Sequence, residues 1–244
     1  MKLRQFSSRV YYTPGEERTD RPWLFYLRGD RASLAVDAGN SPAHVRAFYG
    51  ALTQAGLPLP QYTVITHWHW DHTFGIPAAQ GIIIAGRLTN EKLREVAGWT
   101  WTREAMERRL ETGEDILFCH TRIPEEYPDL SQIRVTPAPV TLDGTLELDL
   151  GGLTCRVFAH DSTHSRDAVF VHAPEAGVLA LGDAWCGDFY DLDGAYDPIR
   201  TAEFLAFLRG LEFSTALFGH DEPMAKAAVL EILETELQNL GADR

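Results

Sequence analysis

The chain is poor in cysteine, in basic residues and in long apolar runs. Three cysteines among 244 residues, scattered and odd in number, do not make a disulfide framework and suit a reducing compartment. Nowhere do about 18 apolar residues follow one another, so no membrane-spanning helix is expected. The opening Met1-Lys2-Leu3-Arg4-Gln5-Phe6 lacks an apolar stretch as well, and a cytoplasmic protein without a membrane partner is expected. Basic residues number 22 against 35 acidic ones, a net charge of −13. A phosphate backbone calls for a basic surface, so nucleic-acid binding is not expected. Repeats and low-complexity blocks are missing too. The 45 % of hydrophobic residues can bury one substantial core, and a single domain over residues 1–244 is expected.

What the chain does hold is the segment His67-Trp68-His69-Trp70-Asp71-His72, directly after the apolar run Tyr62 to Thr66. Four metal-capable groups stand within these six residues. Side chains of an extended chain alternate, so His67 and His69 point the same way and can grip one ion while Trp68 and Trp70 point elsewhere. Asp71 and His72 follow as the chain turns, placed to hold a second ion. A catalytic metal pair draws further ligands from other loops. Three candidates stand near the ends of strand-like runs: His164 after Val157-Phe158-Ala159, Asp183 after Val178 to Leu181, and His220 after Ala216-Leu217-Phe218. Gly182 and Gly219 precede the last two and let the backbone turn where a side chain must reach inward.

This order, HxHxDH followed by a lone His, a lone Asp and a final His, resembles the metallo-β-lactamase superfamily from about Trp23 to His220. The resemblance implies an α/β fold, a four-layer αββα sandwich. It implies that His67, His69 and His164 bind one metal and Asp71, His72 and His220 a second, with Asp183 bridging them. It further implies a dinuclear hydrolase that attacks a small ester, thioester, lactone or amide with a metal-bridging hydroxide, Asp71 doubling as the base. Imidazoles and carboxylates suit two zinc ions and also manganese or iron. Three alternatives stay open: an iron-dependent redox enzyme, a phosphodiesterase, and a non-catalytic metal-binding protein. Relatives acting on lactones often place a tyrosine just after the bridging aspartate; here Trp185 and Cys186 stand there, with Tyr190 and Tyr196 further on. A small-molecule substrate is expected, carbonyl compounds ranking above phosphodiesters.

Other groups read as structural. His160 lies four residues before His164, but the resemblance places the ligand at His164. His44 in a predicted helix, His172 in a predicted strand and His120 lack metal-site company. Cys186, three residues after Asp183, reads as a buried structural thiol. The run Asp188, Asp191, Asp193, Gly194 fails as a calcium loop, with Phe189 where the first acid is needed and Arg200 where the closing Glu should be.

Strands are predicted over Trp23 to Leu27 and Ser33 to Val36, joined by a Gly29-Asp30 turn. Ser41 caps a helix that begins with Pro42, buries Val45, Phe48, Tyr49 and Leu52, and stops at Gly56. Ile82 to Ile84 reads as a short buried strand. Leu146 to Leu148, Cys155 to Phe158, Ala168 to Val171 and Val178 to Leu181 suggest a second sheet. Two core-packing helices follow Asp197-Pro198 and Pro223. Between about residues 87 and 139 the pattern turns helical and charged, then becomes a loop with Pro124, Pro128, Pro137 and Pro139. That insert is the natural lid or wall over the site, with Trp99, Trp101, Met106 and Leu110 packing it on the core. Trp185 to Tyr196 is a second candidate wall.

Overall fold

Short apolar strands build two sheets in a computed structural model that describes residues 1–242. The first sheet contains β1 (Arg4–Gln5), β2 (Val10–Thr13), β3 (Leu24–Arg28), β4 (Ser33–Val36), β5 (Tyr62–Val64), β6 (Ile82–Gly86) and β7 (Val140–Leu142), in that spatial order. It is antiparallel from β1 to β4 and parallel from β4 to β7. The second contains β8 (Thr145–Asp149), β9 (Thr154–Ala159), β10 (Val169–Ala173), β11 (Val178–Gly182), β12 (Thr215–Phe218) and β13 (Met224–Ala225), again in sequence order. In this sheet β11 and β12 pair in parallel and the other neighbours antiparallel.

Among the described residues seven α-helices accompany them: α1 (Pro42–Gln54), α2 (Trp70–Thr73), α3 (Arg87–Ala97), α4 (Arg103–Thr112), α5 (Leu117–Glu126), α6 (Pro198–Gly210) and α7 (Lys226–Ala242). The period of two along each strand decides the layering. Phe25 and Leu27 of β3 face inward and pack with Val157, Val169, Val171 and Leu217 of the opposite sheet. Leu24 and Tyr26 face outward and are covered by Val45, Phe48 and Leu52 of α1. On the far side Phe170, Leu179 and Leu181 are covered by Phe204 and Leu208 of α6 and by Val229 and Leu233 of α7. The order is α, β, β, α, the sandwich that the resemblance implied.

Local signals place the helices. Ser41 Oγ accepts from the His44 amide at 3.0 Å and Pro42 opens α1. Asp197 Oδ1 accepts from the amides of Ile199 and Arg200 at the start of α6. Two expectations shift. Ile82 is 49 % exposed because it opens β6 at the sheet's rim. Pro124 lies inside α5 rather than in a loop; near the helix end its missing amide forfeits a single hydrogen bond to the previous turn. Among the described residues no helix is long and apolar enough to cross a membrane.

Candidate metal centre

Loops leaving the carboxyl ends of β5, β9, β11 and β12 converge at one edge of the sandwich. Thr66 to His72 follows β5, His164 lies between β9 and β10, Asp183 follows β11, and His220 stands just beyond β12. The approach is close. Gly182 adopts φ +55°, and a β carbon there would lie 2.6 Å from Thr66 Oγ1, so both the backbone conformation and the space demand glycine. The amide of Val169 donates to Thr66 O at 2.7 Å and ties the two sheets together beside the site.

All seven side chains singled out in the sequence meet here, in two groups. His67, His69 and His164 form one; Asp71, His72, Asp183 and His220 form the other. Within each group one donor atom per residue lies within 4.8 Å of every other. His69 Nδ1 and His164 Nε2 face each other at 3.0 Å. Asp183 Oδ2 is 3.3 Å from His72 Nε2, 3.5 Å from His220 Nε2 and 4.0 Å from His164 Nε2, and so reaches both groups. Asp71 Oδ2 lies 2.8 Å from His220 Nε2 and 3.0 Å from His72 Nε2.

The donor atoms have the chemistry of metal ligands. His67 Nε2 and Asp183 Oδ1 are buried without hydrogen-bond partners, which is unfavourable for polar atoms unless a cation takes the lone pairs. Space is kept beside them by Gly219, where a β carbon would fall 2.2 Å from Asp183 Oδ1 and 2.7 Å from His72 Cε1. Five imidazoles and two carboxylates form a nitrogen and oxygen set compatible with divalent metals.

Electrostatics divide the two groups. Burial and the neighbouring imidazoles hold His67 and His69 well below the ordinary histidine range, so both are neutral with lone pairs available. At His72 burial opposes the charge, but Asp71, Asp183 and Asp37 outweigh it and raise the pKa well above the ordinary range. At His220 loss of water is likewise outweighed by Asp183 and Asp71, and the pKa rises to about 9. Burial opposes ionisation of Asp71 and Asp183 too, yet the facing histidines hold both below the usual carboxylate range. Without metal the second group is a proton-sharing network; cations binding there would displace the protons.

Several supporting residues escaped the sequence reading. Asp37, at the end of β4, adopts φ +66° and is 2 % exposed. It accepts from Thr66 N at 2.7 Å and from Thr66 Oγ1 at 2.9 Å, and it lies 2.7 Å from His72 Nδ1. A carboxylate behind an imidazole fixes the ring and leaves Nε2 facing the site. Its signal in the sequence was the turn Asp37-Ala38-Gly39, which gives no hint of His72. Replacing Asp37 by alanine is expected to weaken metal affinity about 10- to 100-fold, measured by competition with a chelating dye, and an unchanged affinity would refute the orienting role. His164 is fixed in the same manner, its Nδ1 2.8 Å from Gly187 O.

Comparison with known proteins agrees with this architecture. The profile of the metallo-beta-lactamase superfamily matches residues 20–220. The chain belongs to that superfamily. A metallo-beta-lactamase from Pontibacter korlensis shares 16 % identity at a TM-score of 0.68, over 98 % of this chain and 99 % of that one. DIM-1 metallo-beta-lactamase shares 16 % identity at a TM-score of 0.65, over 98 % and 99 %. The stereoselective inverting sec-alkylsulfatase Pisa1 from Pseudomonas sp. shares 14 % identity at a TM-score of 0.70, over 97 % of this chain and 41 % of that longer one. At such identities the likeness is one of fold. A search among curated proteins finds no match.

Around the superfamily's cluster lies a cavity of about 280 Å³. Trp70 lines it, contrary to the expectation that it points elsewhere, because α2 begins at that residue and turns the chain. The insert supplies one wall through α5, which is fastened at both ends. Tyr190 Oη donates to Asp115 Oδ1 at 3.1 Å just before α5. At its far end Glu126 accepts from Arg21 at 2.8 and 3.2 Å, and Tyr127 Oη donates to Asn40 O at 3.1 Å. Residues 189 and 190 supply the second wall. Met106 and Ile123 pack the insert against Trp70 and Phe74, and Trp99 and Trp101 hold the Arg109 guanidinium at 4.5 and 4.7 Å.

The remaining histidines stand apart from the cluster. His160 stacks on Phe207 at 3.8 Å, His172 Nε2 lies 2.8 Å from Glu212 O, His44 lies in α1, and His120 lies in α5. Cys186 is half-buried rather than buried and borders the cavity, where burial and then Asp183 raise its thiol well above the ordinary range.

Proposed function

We propose that the protein is a metal-dependent hydrolase binding two divalent ions, zinc foremost, that cleaves a small ester, thioester, lactone or amide. The observation carrying this reading is the pair of adjoining donor groups, with an orphaned ring nitrogen and an orphaned carboxylate oxygen, at the floor of an open cavity. Membership of the metallo-beta-lactamase superfamily supports it, as do neighbours of the same fold named as a beta-lactamase and a sec-alkylsulfatase. His67, His69 and His164 would hold one ion, Asp71, His72 and His220 the other, and Asp183, within reach of both groups, would join them. Such ions supply a nucleophilic water at neutral pH and polarise the attacked oxygen.

The chain's own groups do the rest. Asp37 fixes His72, and the Gly187 carbonyl fixes His164, so that their ring nitrogens present lone pairs inward. Asp71 stands at the centre of the second group, ionised at neutral pH, and is the side chain placed to orient water and pass a proton to the leaving group. Burial raises the thiols of Cys119 and Cys186 above the ordinary range, which disfavours either as a nucleophile.

The test combines metal analysis with a substrate panel. Protein purified without chelator is expected to carry about two zinc ions per chain and to hydrolyse members of a panel of esters, thioesters and lactones, with loss on chelation and recovery on adding zinc. One coloured iron per chain with no hydrolysis would overturn the reading in favour of redox chemistry.

A further inference from the structure

The cavity over the donor cluster has a one-sided chemistry. Its walls are the apolar faces of Ile116 and Phe118 from the start of α5, of Phe189 and Tyr190, and of Trp70. Tyr190 presents its ring, because its hydroxyl is turned away to Asp115 and Cys119. The acids that line the cavity are Asp71, Asp183 and Asp20, and no lysine or arginine among the described residues joins them. Asp20 is 8 % exposed, with Oδ1 3.7 Å from His220 Nδ1, on the loop between β2 and β3. At the mouth Phe118 is 46 % and Phe189 48 % exposed, and Leu117 beside them 63 %. Apolar surface therefore runs from the cluster out to solvent.

A second recess, of about 420 Å³, opens on the other side of His69, His164 and Tyr190. It is polar, bordered by Lys92, Arg166, Glu114 and Asp191. The two spaces share the His69 and His164 edge of the cluster.

We propose that the substrate is an ester or thioester whose acyl half is apolar and uncharged and fills the cavity between Phe118 and Phe189, while the leaving group faces the polar recess. This rests on the hydrolase reading above and narrows it. Each methylene removed from water strengthens binding about fourfold. A carboxylate at the end of the acyl tail would instead lose water among Ile116, Phe118 and Phe189, where no lysine or arginine lines the cavity and Asp20 adds a further acid, an uncompensated burial.

The experiment compares p-nitrophenyl acetate, butanoate and hexanoate with the p-nitrophenyl monoester of adipic acid, which has the hexanoate's length and a terminal carboxylate. Zinc-loaded protein is expected to show kcat/KM rising from acetate to hexanoate, and a value at least about 100-fold lower for the adipate ester. Phe118→Lys, at a half-exposed position where folding tolerates the change, is expected to raise the adipate ester about tenfold relative to the hexanoate. Asp20→Asn is expected to narrow the same gap. Equal or faster cleavage of the adipate ester, or no dependence on chain length, would overturn the proposal while leaving the hydrolase reading intact. A binding measurement separates the two failures. Calorimetry should give hexanohydroxamic acid at least tenfold tighter binding than adipic monohydroxamic acid even if no ester is turned over. Equal affinities would overturn the proposal on their own.

Discussion

Replacing His69 by alanine is expected to remove about one metal ion per chain and to slow hydrolysis about 10³-fold or more. His69 Nδ1 faces His164 Nε2 at 3.0 Å, and His67 completes the same group. With one of three nitrogens gone, the remaining two hold a divalent ion poorly, because such sites need three protein ligands to fix geometry and an open position. Several kcal/mol of transition-state stabilisation depends on that ion, and each 1.36 kcal/mol is a factor of ten in rate. Elemental analysis and initial rates on the best ester of the panel read the two effects separately. Retention of both metal content and rate would show that His69 is not a ligand. Thermal unfolding in the presence of chelator should differ little between variant and parent, since the histidine does not belong to the apolar core.

Gly219→Ala should be nearly as damaging, although it touches no donor atom chemically. A methyl group there would sit 2.2 Å from Asp183 Oδ1 and 2.7 Å from His72 Cε1. Both side chains are boxed in. His72 is tied to Asp37 at 2.7 Å, and the turn is clamped by hydrogen bonds from the Gly219 amide to Gly182 O at 3.1 Å and from the Trp23 amide to Gly219 O at 2.6 Å. Something must move, and the least constrained partner is the Asp183 carboxylate that reaches both groups. Loss of metal stoichiometry with retained secondary structure by circular dichroism is the expected result, with activity down at least about 100-fold, since misplacing a catalytic group by about 1 Å has that effect. Normal metal content in this variant would mean that Asp183 has freedom the packing does not suggest.

Much of this candidate centre was readable along the chain because the spacing of residues with ligating chemistry obeys local rules. His67 and His69 are two apart, and an extended backbone puts such residues on one side. Asp71 and His72 could be placed only as far as a turn, since α2 forms one helical turn at Trp70–Thr73 that a single apolar pattern of that length does not announce. The helices over Pro42–Gln54 and Pro198–Gly210 carried their own caps, Ser41 and Asp197, and started where those residues predict. Pro124 was misleading for the converse reason: proline costs the helix one amide hydrogen bond to the previous turn wherever it falls past the first turn, and α5 bears that loss only two residues before it ends.

The amino-acid order alone determined which residues had ligating chemistry and that they stood at strand ends, since both are properties of short segments. Three-dimensional packing decided the rest. Asp37 stands 35 positions before His72, Asp20 lies 200 before His220, and Tyr190 meets Asp115 across 75 residues. No periodicity links positions so far apart; the pairing of β4 with β5 brings Asp37 to His72, and the closing of one sheet over the other brings Asp20 to His220. The tertiary structure also brings Phe118 and Phe189 to one cavity over the cluster, so the character of the cavity is a property of the fold and of no single stretch of chain.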